Sequence, residues 1–90
     1  MNIVYFKNDT WWDERWQFDC YNMCDENGDT TPYIPEGSLL SLLDCWLYAL
    51  ALAKGEEYNG DFQWEHEHLT LKEIQQECIR NGWSVVIFEE

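Results

Sequence analysis

Basic residues are scarce in this chain of 90 residues. Five lysines and arginines stand against 18 aspartates and glutamates, which gives a formal net charge of −13 at pH 7. Nucleic acids and anionic membranes repel a protein surface of this sign, and we therefore exclude both as direct partners. The natural complement of such a surface is a basic surface on another protein.

Several sequence signals are also missing. The chain has no glycine-rich phosphate loop, internal repeat, linker or low-complexity segment, and its first residues, MNIVYFKND, contain no apolar secretory segment. We therefore expect a cytoplasmic protein whose cysteines remain thiols in a reducing compartment. Cys45 and Cys78 fall on apolar helical positions, where we expect small buried side chains.

Aromatic residues, by contrast, are abundant. Six tryptophans, five tyrosines and four phenylalanines bring a large apolar area per residue. This matters because a chain of this size buries only about 60–68% of its unfolded surface. We predict one acidic domain over residues 1–90 that is stable without disulfides.

The longest apolar stretch, from Ser38 to Gly55, predicts a central core helix. Apolar side chains on nearly every face require burial on two or three sides. Ser38 is the predicted N-cap, and Gly55 is placed to close the last turn in the left-handed conformation. Asp44 and the two serines of this stretch argue against a membrane span.

A capping box at Thr70 to Glu73 predicts the start of a second helix. This helix should run from Leu71 to about Asn81, where Asn81-Gly82 ends it. The side chains that we expect it to bury are those of Leu71, Ile74, Cys78 and Ile79.

Period-2 alternation and β-branched or aromatic residues indicate strands. The predicted strands are Asn2–Phe6, Arg15–Asn22, Asp61–His68 and Trp83–Phe88, with Thr30–Ile34 as a candidate edge strand. The alternative for Asp61–His68 is a loop that leads into the second helix. Asn27-Gly28 is a strong hairpin signal. The element order predicts an α+β fold, with a mostly antiparallel sheet of three to five strands and two helices packed on one face.

The negative charge is concentrated outside the two predicted helices. Residues 8–36 carry eight acids against one arginine, a net charge of −7, and residues 55–71 carry five acids and no base, a net charge of −5. Trp11 and Trp12 lie in an acidic context, and an exposed one would be an interaction anchor ringed by acids. The alternative is that both cap the open side of the sheet. The candidate partner-binding residues are Trp11, Trp12, Asp13, Glu14, Asp25, Glu26, Asp29, Glu56, Glu57, Asp61, Glu65 and Glu67.

Metal and catalytic sites have weaker support. The ligand spacing of a calcium-binding loop, here called the ladder, is matched by Asp25, Asn27, Asp29, Thr31, Tyr33 and Glu36. Thr30 occupies the position that needs glycine, and two prolines interrupt the ladder, so an acidic hairpin tip is favoured. His66 and His68 would share a strand face and could join Cys20 and Cys24 at a zinc ion, although no tight ligand pair supports this. No cofactor motif or catalytic signature occurs, and we expect a protein that is not an enzyme.

These observations favour a non-enzymatic acidic inhibitor or binding protein. Its target would be a basic nucleic-acid-binding protein, such as a nuclease or a defence complex, and it would act through an acidic face, in one version as a nucleic-acid mimic. In size, acidity and aromatic content the whole chain resembles the small phage-encoded anti-CRISPR and anti-restriction proteins, a resemblance that assigns no residue a role. The alternatives are a small acidic adaptor that binds through exposed aromatics, and a metal-binding protein.

The density of charge on the protein surface limits the mimicry hypothesis. Ninety residues expose roughly 5,500 Å², hence one net charge per roughly 420 Å², whereas duplex DNA presents one per roughly 100 Å². An even spread of charge therefore falls short about fourfold. Mimicry requires residues 8–36 and 55–71 to converge on one face.

Overall fold

The structure is a computed structural model that describes residues 1–8, 21–29 and 41–89. The described residues form three helices and three strands, which confirms the α+β class. The elements are β1 (Asn2–Asn8), β2 (Tyr21–Cys24), α1 (Leu42–Lys54), α2 (Gly60–His66), α3 (Leu71–Arg80) and β3 (Trp83–Phe88).

The sheet is mixed, and the prediction of a mostly antiparallel sheet is wrong. Its order is β2-β1-β3, with β1 antiparallel to β2 and parallel to β3. The three helices lie between β2 and β3 in the chain, so the last strand can return beside the first in the same direction. Alternation within a strand reports which face is buried, not the direction of the neighbouring strand.

Both ends of the chain meet in this sheet. Asn2 N donates to Gly82 O over 2.8 Å at the start of the parallel pair. Val4 and Phe6 of β1 point into the core, together with Val85 and Ile87 of β3. The strands predicted over Asn2–Phe6 and Trp83–Phe88 are confirmed, and β1 extends to residue 8.

β2 differs from the strand predicted over Arg15–Asn22. It spans Tyr21–Cys24, and the buried Tyr21 joins the core although the alternation placed it on the outer side. Residues 15–20 of the predicted strand lie outside the described residues, as does Thr30–Ile34. The turn predicted at Asn27-Gly28 is present, with Gly28 at φ 82° and its N–H donating to Asp25 O.

α1 is the central helix, as predicted. It buries residues that span about two-thirds of its circumference at 100° per residue. The buried residues are Cys45, Trp46, Leu47, Ala49, Leu50 and Ala51. The helix packs against β3, α3 and α2.

The two ends of α1 are set by capping residues. Ser41 is the N-cap, so α1 begins later than predicted, and Ser38 lies outside the described residues. Ser41 Oγ accepts from Asp44 N over 3.1 Å and donates to the Asp44 carboxylate over 2.9 Å. Gly55 closes the helix in the left-handed conformation, as predicted. Within the described ranges, none of the helices has the length and apolar character that crossing a membrane requires.

The strand predicted over Asp61–His68 is wrong, because these residues contain α2. Asn59 Oδ1 accepts from Phe62 N over 3.0 Å and caps the helix. Phe62 and His66, four residues apart, stack with ring centroids 4.1 Å apart. A strand would have put Trp64 on the same side as both rings, but the helix turns it away.

α3 follows its prediction closely. Both hydrogen bonds of the capping box between Thr70 and Glu73 are present. Ile74 and Cys78 are buried at helical spacing, as predicted, and Leu71 is half-buried. Ile79 is 52% exposed, so its predicted burial is wrong.

The first prediction concerns the centre of α1. Leu50→Ala should lower the free energy of unfolding by about 2–5 kcal/mol, because Leu50 is fully buried and its truncation leaves a cavity. Leu52→Ala is the matched control in the same helix, since Leu52 is 40% exposed, and it should cost less than about 1 kcal/mol. Urea unfolding measures both, and equal losses would contradict the placement of α1.

The second prediction concerns the capping box. The backbone N–H of Thr70, its hydroxyl and the nearby His68 hold the pKa of Glu73 below its usual value of 4.5. A lowered pKa stabilises the folded state above pH 4.5, and this stabilisation is lost as the pH falls through the folded pKa. Glu73→Gln should therefore melt at a lower temperature than the parent at pH 7. The two midpoints should converge at the acid end of a pH series, and a constant gap would contradict the prediction.

Candidate protein-binding surface

Six exposed residues of α2 and of the loops on either side of it comprise five acids and one large aromatic side chain. We call these residues the α2 surface, and all of them are solvent-exposed. Trp64 is 71% exposed. The α2 surface consists of Glu56, Glu57, Asp61, Trp64, Glu65 and Glu67.

The buried side of α2 determines where Trp64 points. Phe62 is 4% exposed and belongs to the core cluster. His66 lies one turn later on the same side and is half-buried. At 100° per residue, Trp64 lies about 160° from both rings, on the opposite side of the helix. Asp61 and Glu65 lie on the flank between Trp64 and the buried side and are also exposed.

Ring contacts join α2 to the core. Tyr58 packs edge-on against Tyr48 of α1 with centroids 5.6 Å apart, and Tyr48 in turn contacts Phe6 of the sheet at 6.2 Å. Tyr58 also contacts Phe62 of α2 with centroids 6.3 Å apart. Within α2, His66 Nδ1 donates to the carbonyl of Phe62 over 2.8 Å. The orientation of α2 is therefore set from its buried side, independently of the exposed acids.

A polar network also ties α2 to the first turn of α1. Gln63 Nε2 donates to the Tyr58 hydroxyl over 2.6 Å and to Asp44 Oδ1 over 3.4 Å. Burial is the main cause that raises the pKa of Tyr58 to about 12. The hydrogen bond from Gln63 lowers this pKa, whereas the nearby Asp44 charge raises it. Tyr58 therefore stays neutral at physiological pH and serves as a hydrogen-bonding residue.

Among residues 1–8, 21–29 and 41–89, no ion pair engages the acids of the α2 surface. Asp61 and Glu65 are four residues apart on one helix face, where like charges destabilise a helix. The one ion pair found within the described ranges joins Arg80 and Glu77 of α3, with Arg80 Nη1 3.0 Å from Glu77 Oε2. The field of the α2 surface is thus directed toward solvent.

The acids of the turn after β2 lie elsewhere. Gly28 packs beneath the ring of Phe88, since a Cβ built on it would lie 3.4 Å from Phe88 Cγ. Phe88 alternates with the core residue Ile87 and stacks on Tyr5 with centroids 6.0 Å apart, on the sheet face away from the helices. The turn holding Asp25, Glu26 and Asp29 is therefore separated from the α2 surface by the sheet.

The remaining predicted site residues lie outside the described residues. They are Trp11, Trp12, Asp13 and Glu14. Of the acids predicted to bind a partner, the structure brings Glu56, Glu57, Asp61, Glu65 and Glu67 together at α2.

The candidate metal ligands are separate in the described ranges. No group of three or more metal-ligating side chains occurs among residues 1–8, 21–29 and 41–89. Asp25 Oδ1 accepts from the backbone N–H groups of Asn27 and Asp29 over 2.8 and 3.0 Å, which closes its turn. His66 is bonded to its own helix, whereas His68 is exposed beyond the end of α2. Cys20, Thr31, Tyr33 and Glu36 lie outside the described residues.

The buried cysteines Cys45 and Cys78 are free thiols, as predicted. Burial is the main cause that raises the pKa of Cys78 to about 11, and it raises the pKa of Cys45 still further. Neither is a thiolate at neutral pH, and the Cys78 thiol contacts the carbonyl of Trp46 over 3.3 Å. Both act as small core residues and are unsuited to nucleophilic attack.

A shallow cavity of about 250 Å³ lies between the C-terminal half of α1 and α3. Its charged lining includes Lys54, Glu73, Glu77 and Arg80, and none of the described residues that line it is a serine, threonine or cysteine. Glu73 caps α3 and Arg80 pairs with Glu77, so three of these charges are already engaged.

Trp64 is the site residue that the sequence analysis missed. The alternation over residues 61–68 placed it on one side of a strand with Phe62, His66 and His68, opposite the acids. Asn59 as a capping residue, with Phe62 and His66 four residues apart, is the sequence signal that could have identified a short helix and an outward Trp64.

The third prediction follows from the unpaired acids. The melting temperature should rise as sodium chloride increases from about 0.01 M to about 0.15 M, because the Debye length then falls from about 30 Å to about 8 Å and screens the repulsion between like charges. Thermal unfolding followed by circular dichroism measures this. A flat or falling midpoint would mean that the acids are paired or too dispersed to repel one another.

No family model, curated protein or solved structure that we compared matches this chain. What the α2 surface does must therefore be inferred from its own residues.

Proposed function

We propose that this protein is a non-enzymatic binding protein that docks its α2 surface on a basic surface of a partner protein. The observation that carries the proposal is Trp64, a 71% exposed tryptophan on a helix whose other exposed side chains are acidic. Tryptophan is among the residues most enriched at energetic centres of interfaces. Acids around it favour a partner of opposite charge.

The two components of this surface have different tasks. The acids raise the association rate by steering a basic partner, an effect that salt weakens. Trp64 adds the apolar contact area that slows dissociation once it is desolvated in a pocket of the partner. Of these residues, Asp61 alone lies in the first turn of α2, where an acid stabilises a helix. The exposed ring and the other acids have no such role in α2, so their arrangement is better explained by binding than by folding.

The partner class that fits best is a nucleic-acid-binding protein. Such proteins concentrate lysine and arginine along a groove that must bind phosphates. Occupation of that groove would make this chain an inhibitor of the phage-encoded kind that its composition resembles. The target is a nuclease or another protein of a defence complex.

Local docking suits the observed charge density better than duplex mimicry. The accessible surface of 6285 Å² gives one net charge per roughly 480 Å², against roughly 100 Å² for duplex DNA. The described acids of the turn after β2 lie across the sheet from α2. The proposal therefore requires one acidic patch, not a phosphate-like array over the molecule.

The experiment uses proteins that bind DNA. The heparin-binding fraction of a bacterial lysate is passed over the immobilised chain, and each protein that salt elutes is purified and tested for DNA binding. We expect the chain to displace a DNA duplex from its target in competition assays. Captured proteins that keep their DNA in the presence of excess chain would contradict inhibition by groove occupation.

The fourth prediction is that the α2 surface contacts the target protein. Matched charge variants test it. Glu65→Gln with Glu67→Gln should weaken target binding roughly five- to tenfold, since each exposed pair contributes up to about 1 kcal/mol. Glu26→Gln with Asp29→Asn removes the same net charge from the other side of the sheet and should change binding little. Equal losses would indicate only a diffuse field effect.

A further variant separates docking from the adaptor alternative. Trp64→Ala should speed dissociation roughly 30-fold if the ring is an anchor. If Trp64→Ala weakens binding while neither charge pair does, the acids serve solubility and the adaptor hypothesis replaces the docking hypothesis. Circular dichroism of each variant checks that α2 remains folded.

A further inference from the structure

β3 is an unusual edge strand. It forms one edge of the sheet, and no strand among residues 1–8, 21–29 and 41–89 pairs with its other side. Its six residues, WSVVIF, include no charge and no proline, and its register with β1 is continuous from residue 83 to residue 88. Natural edge strands of this kind are normally protected by a charge, a proline or a bulge, and β3 has none of these.

The hydrogen bond at the start of the parallel pair determines which backbone groups face the open edge. Asn2 N donates to Gly82 O. In a parallel ladder, alternate residues direct their backbone groups to the neighbouring strand, so Ser84 and every second residue after it bond to β1. The residues between them, Trp83, Val85 and Ile87, therefore direct their N–H and C=O groups to the open edge.

We propose that β3 pairs antiparallel with β3 of a second copy of this chain. Val85 would lie opposite Val85 of the second copy, and Trp83 would lie opposite Ile87 of the second copy. These are hydrogen-bonded pairs, which exchange about six backbone hydrogen bonds in total. The result is one continuous sheet made of two three-stranded halves.

The side chains are self-complementary in this register. Trp83, Val85 and Ile87 all lie on the helix side of the sheet, so aromatic and β-branched residues oppose one another there. Ser84 lies opposite Val86 of the second copy on the other face. No charged side chain within the strand has to be desolvated. The two-fold symmetry is closed, so each pair of β3 strands makes a dimer and not a fibre.

The net charge makes this pairing dependent on salt. Two chains of −13 each repel at low ionic strength, and the repulsion is screened as the Debye length falls from about 30 Å at 0.01 M to about 8 Å at 0.15 M. Dimer formation should therefore strengthen with salt. Docking of the α2 surface on a basic partner weakens with salt, so the two interactions are separable.

Sedimentation velocity of the unmodified chain is the first test. One strand per subunit is a small interface, so the protein is measured at roughly 100 μM in about 0.02 M and about 0.5 M sodium chloride. We expect a species of 10.8 kDa at low salt and a species of twice that mass at high salt. A monomer under both conditions would overturn the proposal.

The fifth prediction is this dimer with its register. Disulfide cross-linking tests the register. Ser84→Cys and Val86→Cys are prepared separately and then mixed under oxidising conditions at high salt. The two new thiols would lie in a non-hydrogen-bonded pair with Cα atoms about 4.5 Å apart, which a disulfide can bridge. Two Ser84→Cys chains alone would place them about 8 Å apart, beyond that reach.

We expect a covalent dimer in the mixture that is absent from each variant alone and from the unmodified chain. A dimer by mass without this cross-link would overturn pairing through β3. A charge variant of the α2 surface serves as a control for the cross-link. Glu65→Gln with Glu67→Gln should leave it unchanged or increase it, because the α2 surface takes no part in the pairing and its loss of charge reduces repulsion.

Discussion

The packing of α1 against β3 and α3 is the interaction on which the rest of the structure depends. α1 buries six of its residues, and Phe6 of the sheet and Ile74 of α3 are fully buried around it. A helix buried through most of its circumference leaves room for polar groups only along one edge. Asp44 and Tyr48 lie on that edge, where contacts with Gln63 and Tyr58 hold α2 in place.

This core also explains where the charge lies. Neutral helices can be buried, whereas acids without cationic partners must remain in water. The acids between α1 and α3 are therefore confined to the loops and to the exposed side of a short helix. Phe62 and His66 occupy the inner face of that helix, so Trp64 is held outward among the acids without helping to stabilise the fold.

The two proposed contacts of this chain would respond to salt in opposite ways. The α2 surface is charged and would meet a partner of opposite sign. The open edge of β3 is uncharged and would meet an identical strand. Because α2 belongs to the helical layer and β3 ends the sheet, the two proposed contacts use different parts of the molecule, and ionic strength would shift the balance between them.

Local chemistry was sufficient to predict much of the fold. The capping box at Thr70, the left-handed Gly55 and the apolar run of α1 each report on residues a few positions apart, which is why the α+β class and two of the helices could be predicted. The acidic composition around α2 was equally visible. The helical state of residues 60–66 was missed, since the four-residue spacing of Phe62 and His66 fits both a strand and a helix, and Asn59 as an N-cap is the local signal that favours the helix.

By itself, the sequence determined the core helix, the capped helix α3, the two terminal strands and the excess of acid. Only the tertiary structure decided that β1 and β3 run parallel, that Tyr21 faces the core, and that Trp64 points to solvent. Strand direction and the facing of a short helix depend on contacts between residues far apart in the chain. Periodicity records which positions are apolar, but it does not record what they pack against.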